Sequence, residues 1–275
     1  MLRIVTVVDA ESFDSADRKA QTIFEEAINL FQQMNFSSHV ETLLPVGYCK
    51  HIDSQEIKPL IKPTKETSWP IGSIHHIANT VYEPIKPAQY IMAGRQDEAT
   101  KAYLRSAYWV RMSKREAVGH LRFLYEWIAI EAIAKLNEQD DVVRKACLVI
   151  GFPLKAYTLQ FDPQAVSMLN SIENYSTWRD YFRTNLEKAR ARRHEIVHNG
   201  FRSLDIPEEE LRVYHNIGSF VLSRMSGYLQ LGILEGLTSL ADIWEMMPLL
   251  VCENKNLKND VDGTIIYTFK QGMFF

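Results

Sequence analysis

No two cysteines in this 275-residue chain are close enough to form a CxxC pair. Cys49, Cys147 and Cys252 stand far apart and odd in number, which excludes a disulfide framework and a zinc ribbon. Long apolar runs are also absent. The greasiest segment, Trp127 to Ala134, carries Glu131 in its middle and falls short of the ~18 uninterrupted apolar residues of a membrane span. The start, Leu2 to Val8, is apolar but is soon interrupted by Asp9 and Glu11, so it does not read as a signal peptide, and the cytoplasm is the expected compartment. Glycine (12) and proline (10) are too few for a collagen-like or low-complexity chain, and no internal repeat is visible. Charge of one sign is lacking as well. The formal net charge of -3 argues against a protein that coats nucleic acid along its surface, though not against one local basic site. With 46% hydrophobic residues the chain has ample material for a buried core.

The chain changes character near residue 96. Leu2 to Val8 and His39 to Val46 are rich in β-branched residues and read as strands flanking a helix that starts near Asp14 or Ser15 and runs to Met34. Residues 53–90, with Pro59, Pro63, Pro70, Pro84 and Pro87, read as a loop-rich connector. His75-His76 falls in this connector and has no neighbouring ligand residues, so no metal site is expected there. Beyond it, helical periodicity predicts helices over Ala99 to Lys114 and over Leu121 to Leu136, with Gly119 as a kink between them. Further helices follow at about 141–150, Pro163 to Ile172, Trp178 to Val197 with Asn199-Gly200 as stop, and from Pro207 to Leu234. Ala241 to Met246 reads as a short helix and Thr264 to Phe269 as a strand able to join the N-terminal ones. The expected fold is mainly α: residues 1–95 form a smaller α/β region, 96–236 an antiparallel helical bundle, and 237–275 a C-terminal helix and strand.

The stretch Arg190-Ala191-Arg192-Arg193-His194-Glu195-Ile196-Val197-His198-Asn199-Gly200 carries most of the chemistry. Phe182, Leu186, Ala189, Ile196 and Val197 define its expected buried stripe, and Arg193 falls on that stripe where a purely structural helix would place Leu. A guanidinium there needs a carboxylate or an anionic ligand. Glu131, on the apolar side of an earlier helix, is the expected partner. His194 and His198 lie one turn apart. In a straight helix Arg193 and His198 are about 140° apart around the axis. From Arg179 to Arg202 seven Lys/Arg face three acids, a local excess of four positive charges in a chain that is acidic elsewhere.

Arg193-His194-Glu195-Ile196-Val197-His198 resembles the Arg, polar residue, any three, His pattern of the HEPN superfamily of helical-bundle ribonucleases. Phe123-Leu124-Tyr125-Glu126-Trp127-Ile128-Ala129-Ile130-Glu131 resembles the second-helix segment of its Apea-like branch. A second match to the spacing, Arg115 to His120, sits at the kink between two helices and is read as chance. The resemblance covers roughly residues 97–235. It implies metal-independent RNA cleavage through attack of the 2'-hydroxyl, with no cofactor and no metal, in a toxin or anti-phage defence setting. Arg193, His198 and His194 would be catalytic, Arg190, Arg192 and Asn199 would contact the substrate, and Glu131 would support Arg193. A homodimer would bring two such helix ends together, and an antitoxin or sensor protein is a candidate partner. Residues 1–95 would sense, dock or inhibit.

Two other readings stand beside this one. A non-catalytic HEPN-like bundle would bind RNA, a nucleotide or a protein, with Arg193 bracing the bundle through Glu131 and His198 serving as a helix-terminal cation. A purely structural dimerisation protein leaves the Arg-His cluster unexplained. Tyr103, Tyr108, Trp109, Phe123, Tyr125 and Trp127 read mainly as core or dimer interface, with one or two able to stack on bases.

Overall fold

A computed structural model describes residues 5–34, 46–61, 96–139, 141–158, 160–202, 205–254 and 256–270. The chain divides into two compact units, Met1–Met92 and Ala93–Phe275.

In the first unit, α1 (Phe13–Met34) starts where Ser12 Oγ accepts from the Ser15 amide at 3.2 Å. Strands β1 (Val46–Lys50) and β2 (Ile57–Ile61) form an antiparallel hairpin, with Val46 opposite Ile61. Lys58 Nζ lies 2.7 Å from Asp14 Oδ1, tying the hairpin to the start of α1. Two expectations change here. Residues 5–8 are not a strand, and the stretch read as connector contains β2. The second expected strand, His39 to Val46, lies outside the described residues except for Val46, and so do Pro63, Pro70, Pro84, Pro87 and His75-His76.

The second unit is a helical bundle. Asp97 caps α2 (Glu98–Arg115) by accepting from the Thr100 amide at 2.8 Å. The chain then turns into α3 (Gly119–Ala134), as the glycine kink predicted. Next come α4 (Val142–Val149), capped by Asp141, the short α5 (Lys155–Thr158) and α6 (Pro163–Asn170), capped by Asp162 with proline in its first turn. The long helices α7 (Tyr175–Asn199) and α8 (Glu208–Leu234) follow, and Glu208, Glu209 and Glu210 stand at the positive end of α8. The unit closes with α9 (Leu240–Cys252) and α10 (Leu257–Lys270).

Helix α3 is the hub, packing on α2, α8, α4 and α7. It is apolar nearly all round, so periodicity alone does not fix its buried face. The predicted stripe through Leu121, Leu124, Ile128 and Ala132 is only half-buried, and Leu136 lies beyond the helix, exposed. The deep face instead runs through Phe123, Glu126, Trp127, Ile130 and Ile133. Its last carbonyls are met by buried donors: Lys145 Nζ reaches Ala134 O at 2.6 Å and Trp244 Nε1 reaches Ile133 O at 2.8 Å. Partners on α3 and α8 advance together, Phe123 with Tyr214 and then Glu126 with Gly218, so these two helices run in the same direction. The bundle is therefore not antiparallel throughout.

Residues 264–269, expected as a strand, lie in α10. The Ile150–Phe152 turn explains this. Thr264 Oγ1 donates to Ile150 O at 3.1 Å and lies 3.0 Å from Asp260 O, and both Val261 and Thr264 are fully buried. Tertiary burial overrides the β-branched preference of the segment. Gly151, at φ +88°, fits against Val261 here, and an added Cβ would come within 2.5 Å of Val261 Cγ2. Gly151→Ala is therefore expected to lower the unfolding free energy measured in urea by about 1–3 kcal/mol, with a lower midpoint, from left-handed strain plus overpacking. An unchanged midpoint would refute this anchoring role.

Candidate functional site

The end of α7 carries the Arg-His cluster. Tyr175, Phe182, Leu186, Ala189 and Ile196 are its buried residues. Val197, expected on that stripe, is 47% exposed. The helix stays regular through Asn199 and ends at Gly200, whose φ of +68° suits glycine. The amides of Gly200 and Phe201 both turn back to the Glu195 carbonyl, so the Asn-Gly stop works as predicted.

Arg193 and Glu131 do meet. Arg193 Nη2 donates to Glu131 Oε2 at 3.0 Å, and both side chains are about three-quarters buried. The Trp127 indole donates to Glu131 Oε1 at 3.1 Å, so each carboxylate oxygen has a donor. Arg193 Nε is buried without an acceptor among the described residues. The pair is thus well formed on the carboxylate side and less complete on the guanidinium side.

The other residues separate into two groups. His194 and His198 are exposed and their rings lie against each other, with centroids 4.3 Å apart. Asn199 is exposed beside them. Arg190 is exposed and 3.7 Å from Asp141, the residue that caps α4. Arg192, expected at the substrate, is turned instead onto carboxylates: Nε lies 2.8 Å from Glu210 Oε1 and Nη1 lies 2.7 Å from Glu195 Oε2. Arg190, His194 and His198 thus follow one exposed side of α7 and Asn199 is exposed at its last position, while Arg193 pairs with Glu131 of α3 and Arg192 with Glu210 of α8. Within one chain Arg193 and His198 point to different sides of a regular helix, as the 3.6-residue period requires.

The Arg192 hydrogen bond, outweighing the opposing effect of burial, holds the Glu210 carboxyl below the usual carboxylate range. A depressed folded pKa adds stability above the unfolded value near 4.3, and that stability disappears as pH falls through the folded value. Arg192→Ala should therefore cost about 1 kcal/mol at pH 7, because partial exposure screens the pair. The gap to wild type in urea titrations should narrow below about pH 5. A gap that stays constant to pH 3 would remove Glu210 as its source.

Sequence reasoning missed Glu126 and His215. Glu126 is buried on the deep face of α3, and His215 Nδ1 lies 2.6 Å from its Oε1. The signal was present in part, since Glu126 interrupts the same apolar run as Glu131. Cys147 is buried, and burial pushes its thiol up to about 12, which leaves it inert at neutral pH. Among the aromatics, Tyr103, Phe123 and Trp127 are core, Tyr108 is exposed, and Trp109 packs on Tyr125 with centroids 5.5 Å apart.

Among the described residues there is no cluster of three metal-ligating side chains and no helix long and apolar enough to cross a membrane. Comparison with protein-family models, with curated proteins and with solved structures returned no match for this chain.

Proposed function

We propose that residues 93–275 act as a metal-independent endoribonuclease of the HEPN type, working as a homodimer in a toxin or anti-phage defence role. The observation that carries the reading is the division of labour at the end of α7. Arg193 is held by Glu131 on the bundle side while the His194 and His198 rings lie tilted against each other on the open side. In this reading the 2'-hydroxyl of RNA loses its proton to one histidine and its oxygen attacks the adjacent phosphorus. The bond to the 5'-oxygen breaks, and that oxygen takes a proton from a second, protonated histidine. The products are a 2',3'-cyclic phosphate and a 5'-hydroxyl. A guanidinium steadies the charge that develops on the phosphoryl oxygens.

One helix does not bring Arg193 and His198 to the same phosphate, so the chemistry calls for a second copy whose α7 end faces the first. Val197, exposed in the same last turns of α7, provides apolar surface for such a contact. Sedimentation at working concentration should show a species of twice the chain mass, and a strictly monomeric protein would rule out the shared cleft. An antitoxin or a sensor protein would be the natural partner, and residues 1–92 the natural place for it.

The non-catalytic reading, a HEPN-like bundle that binds RNA, a nucleotide or a protein, draws support from the engagement of Arg193 and Arg192 with carboxylates. One experiment separates the two. Purified protein is incubated with end-labelled RNA in EDTA. Cleavage that survives the chelator and leaves 2',3'-cyclic phosphate ends is the expected result. Binding without cleavage would favour the scaffold.

A further inference from the structure

Helices α3 and α8 meet in a second charged cluster that the proposed ribonuclease chemistry does not use. Glu126 is only 4% exposed, and its Oε1 lies 2.6 Å from His215 Nδ1. On the other side of the ring, Arg122 Nη2 lies 2.8 Å from His215 Nε2, and Arg122 Nε lies 3.7 Å from Glu126 Oε1. A guanidinium can only donate, so Nε2 accepts. The ring proton therefore sits on Nδ1 and is donated to Glu126. The Nε2 edge of His215 is turned toward the half-exposed Arg122. Glu126 Oε2 is buried with no donor among the described residues, and Glu126 lines a cavity of about 10 Å³ with Asn185, Ala189 and Tyr214.

The sequence around the α2–α3 turn is basic, with Lys114, Arg115 and Arg122 against Glu116, while Arg212 on α8 follows Glu208, Glu209 and Glu210. Burial, and then repulsion from Arg122, hold the Lys114 ammonium below the ordinary lysine range.

The geometry points to a binding site for a phosphate oxyanion formed by Arg122 and His215 and backed by Glu126. Arg122 here gives a charged donor to a ring nitrogen, whereas a phosphate offers that guanidinium an opposite charge and two oxygens for its fork. An arriving phosphate takes over the guanidinium. It accepts from Nε2 as well, once that nitrogen has taken a proton from solvent or from the phosphate itself. Glu126 already accepts from the opposite edge of the ring, so it neutralises the imidazolium with no rearrangement, as a buried carboxylate does behind a catalytic histidine.

The test uses the full chain, labelled with ¹⁵N in its histidine rings, titrated with inorganic phosphate and with AMP against sodium chloride of equal ionic strength. A saturable shift of the His215 ring signals, larger than that of exposed His51, which belongs to neither site, is the expected result. Saturation by phosphate alone assigns the site to the free ion, and saturation by both assigns it to a phosphate monoester. Arg122→Gln should weaken the response at least tenfold, and Arg122→Lys should retain part of it. No shift beyond the chloride control in the wild-type protein overturns the site, as does an undiminished response in Arg122→Gln. The wild-type titration decides by itself if either variant fails to fold. No RNA cleavage is read, so failure here is distinct from failure of the ribonuclease reading.

Discussion

His198→Ala is expected to leave about one-hundredth or less of wild-type RNA cleavage, since positioned general acid–base groups contribute typically 10²–10⁴-fold. The substitution isolates chemistry from folding. His198 is exposed, touches His194 through its ring, and stands in the last turn of α7 just before the Gly200 cap. Alanine is a better helix former than histidine, and the turn is closed by the backbone bonds to the Glu195 carbonyl, which no side chain supplies. Stability should therefore change by no more than about 0.5 kcal/mol. The measurement is the rate of cleavage of labelled RNA in EDTA beside a thermal melt. His194→Ala should cost less, because it would orient or bind and not transfer the proton. Undiminished cleavage in His198→Ala would sink the assignment of the base. A lost melting transition would point to the helix end as a structural element.

Phe152→Ala should cost about 3–5 kcal/mol, a large share of the 5–15 kcal/mol that holds an ordinary domain together. Phe152 is fully buried between Tyr175 and Phe182, with ring centroids 5.3 and 4.7 Å away in stacked geometry. The Tyr175 hydroxyl donates to the Gly151 carbonyl at 2.9 Å, so the stack also fixes the turn that receives α10. Removing the ring leaves a cavity at the junction of α4, α7 and α10, where the rigid turn has little room to collapse. Urea unfolding followed by far-UV circular dichroism gives the number. A loss below about 1 kcal/mol would mean that this turn can repack, and it would remove the stack as the anchor of the C-terminal helix.

The helices of the bundle were largely legible because their ends are written locally. Asp97, Asp141 and Asp162 each accept from an amide two or three residues on, and Gly200 closes α7 with positive φ. The Arg193–Glu131 pair was legible for a different reason: each charge interrupts an apolar face, and such a charge requires an opposite one. The same logic was not carried to Glu126, whose partner His215 lies 89 residues away and bears no local mark. The rotated face of α3 was hidden because a helix that is apolar all round offers no stripe to read.

By itself the sequence determined a mainly helical second unit, the boundaries of its long helices, and one arginine that had to find a carboxylate. These follow from interactions within a turn or two of helix and from the cost of an unpaired buried charge. Only the tertiary structure decided which face of α3 turns inward, that Thr264 to Phe269 is helical, that Arg192 reaches Glu210, and that Arg122, His215 and Glu126 converge. Each of these depends on which helix packs against which, and burial between distant segments outweighs the few tenths of a kcal/mol that local preference supplies per residue.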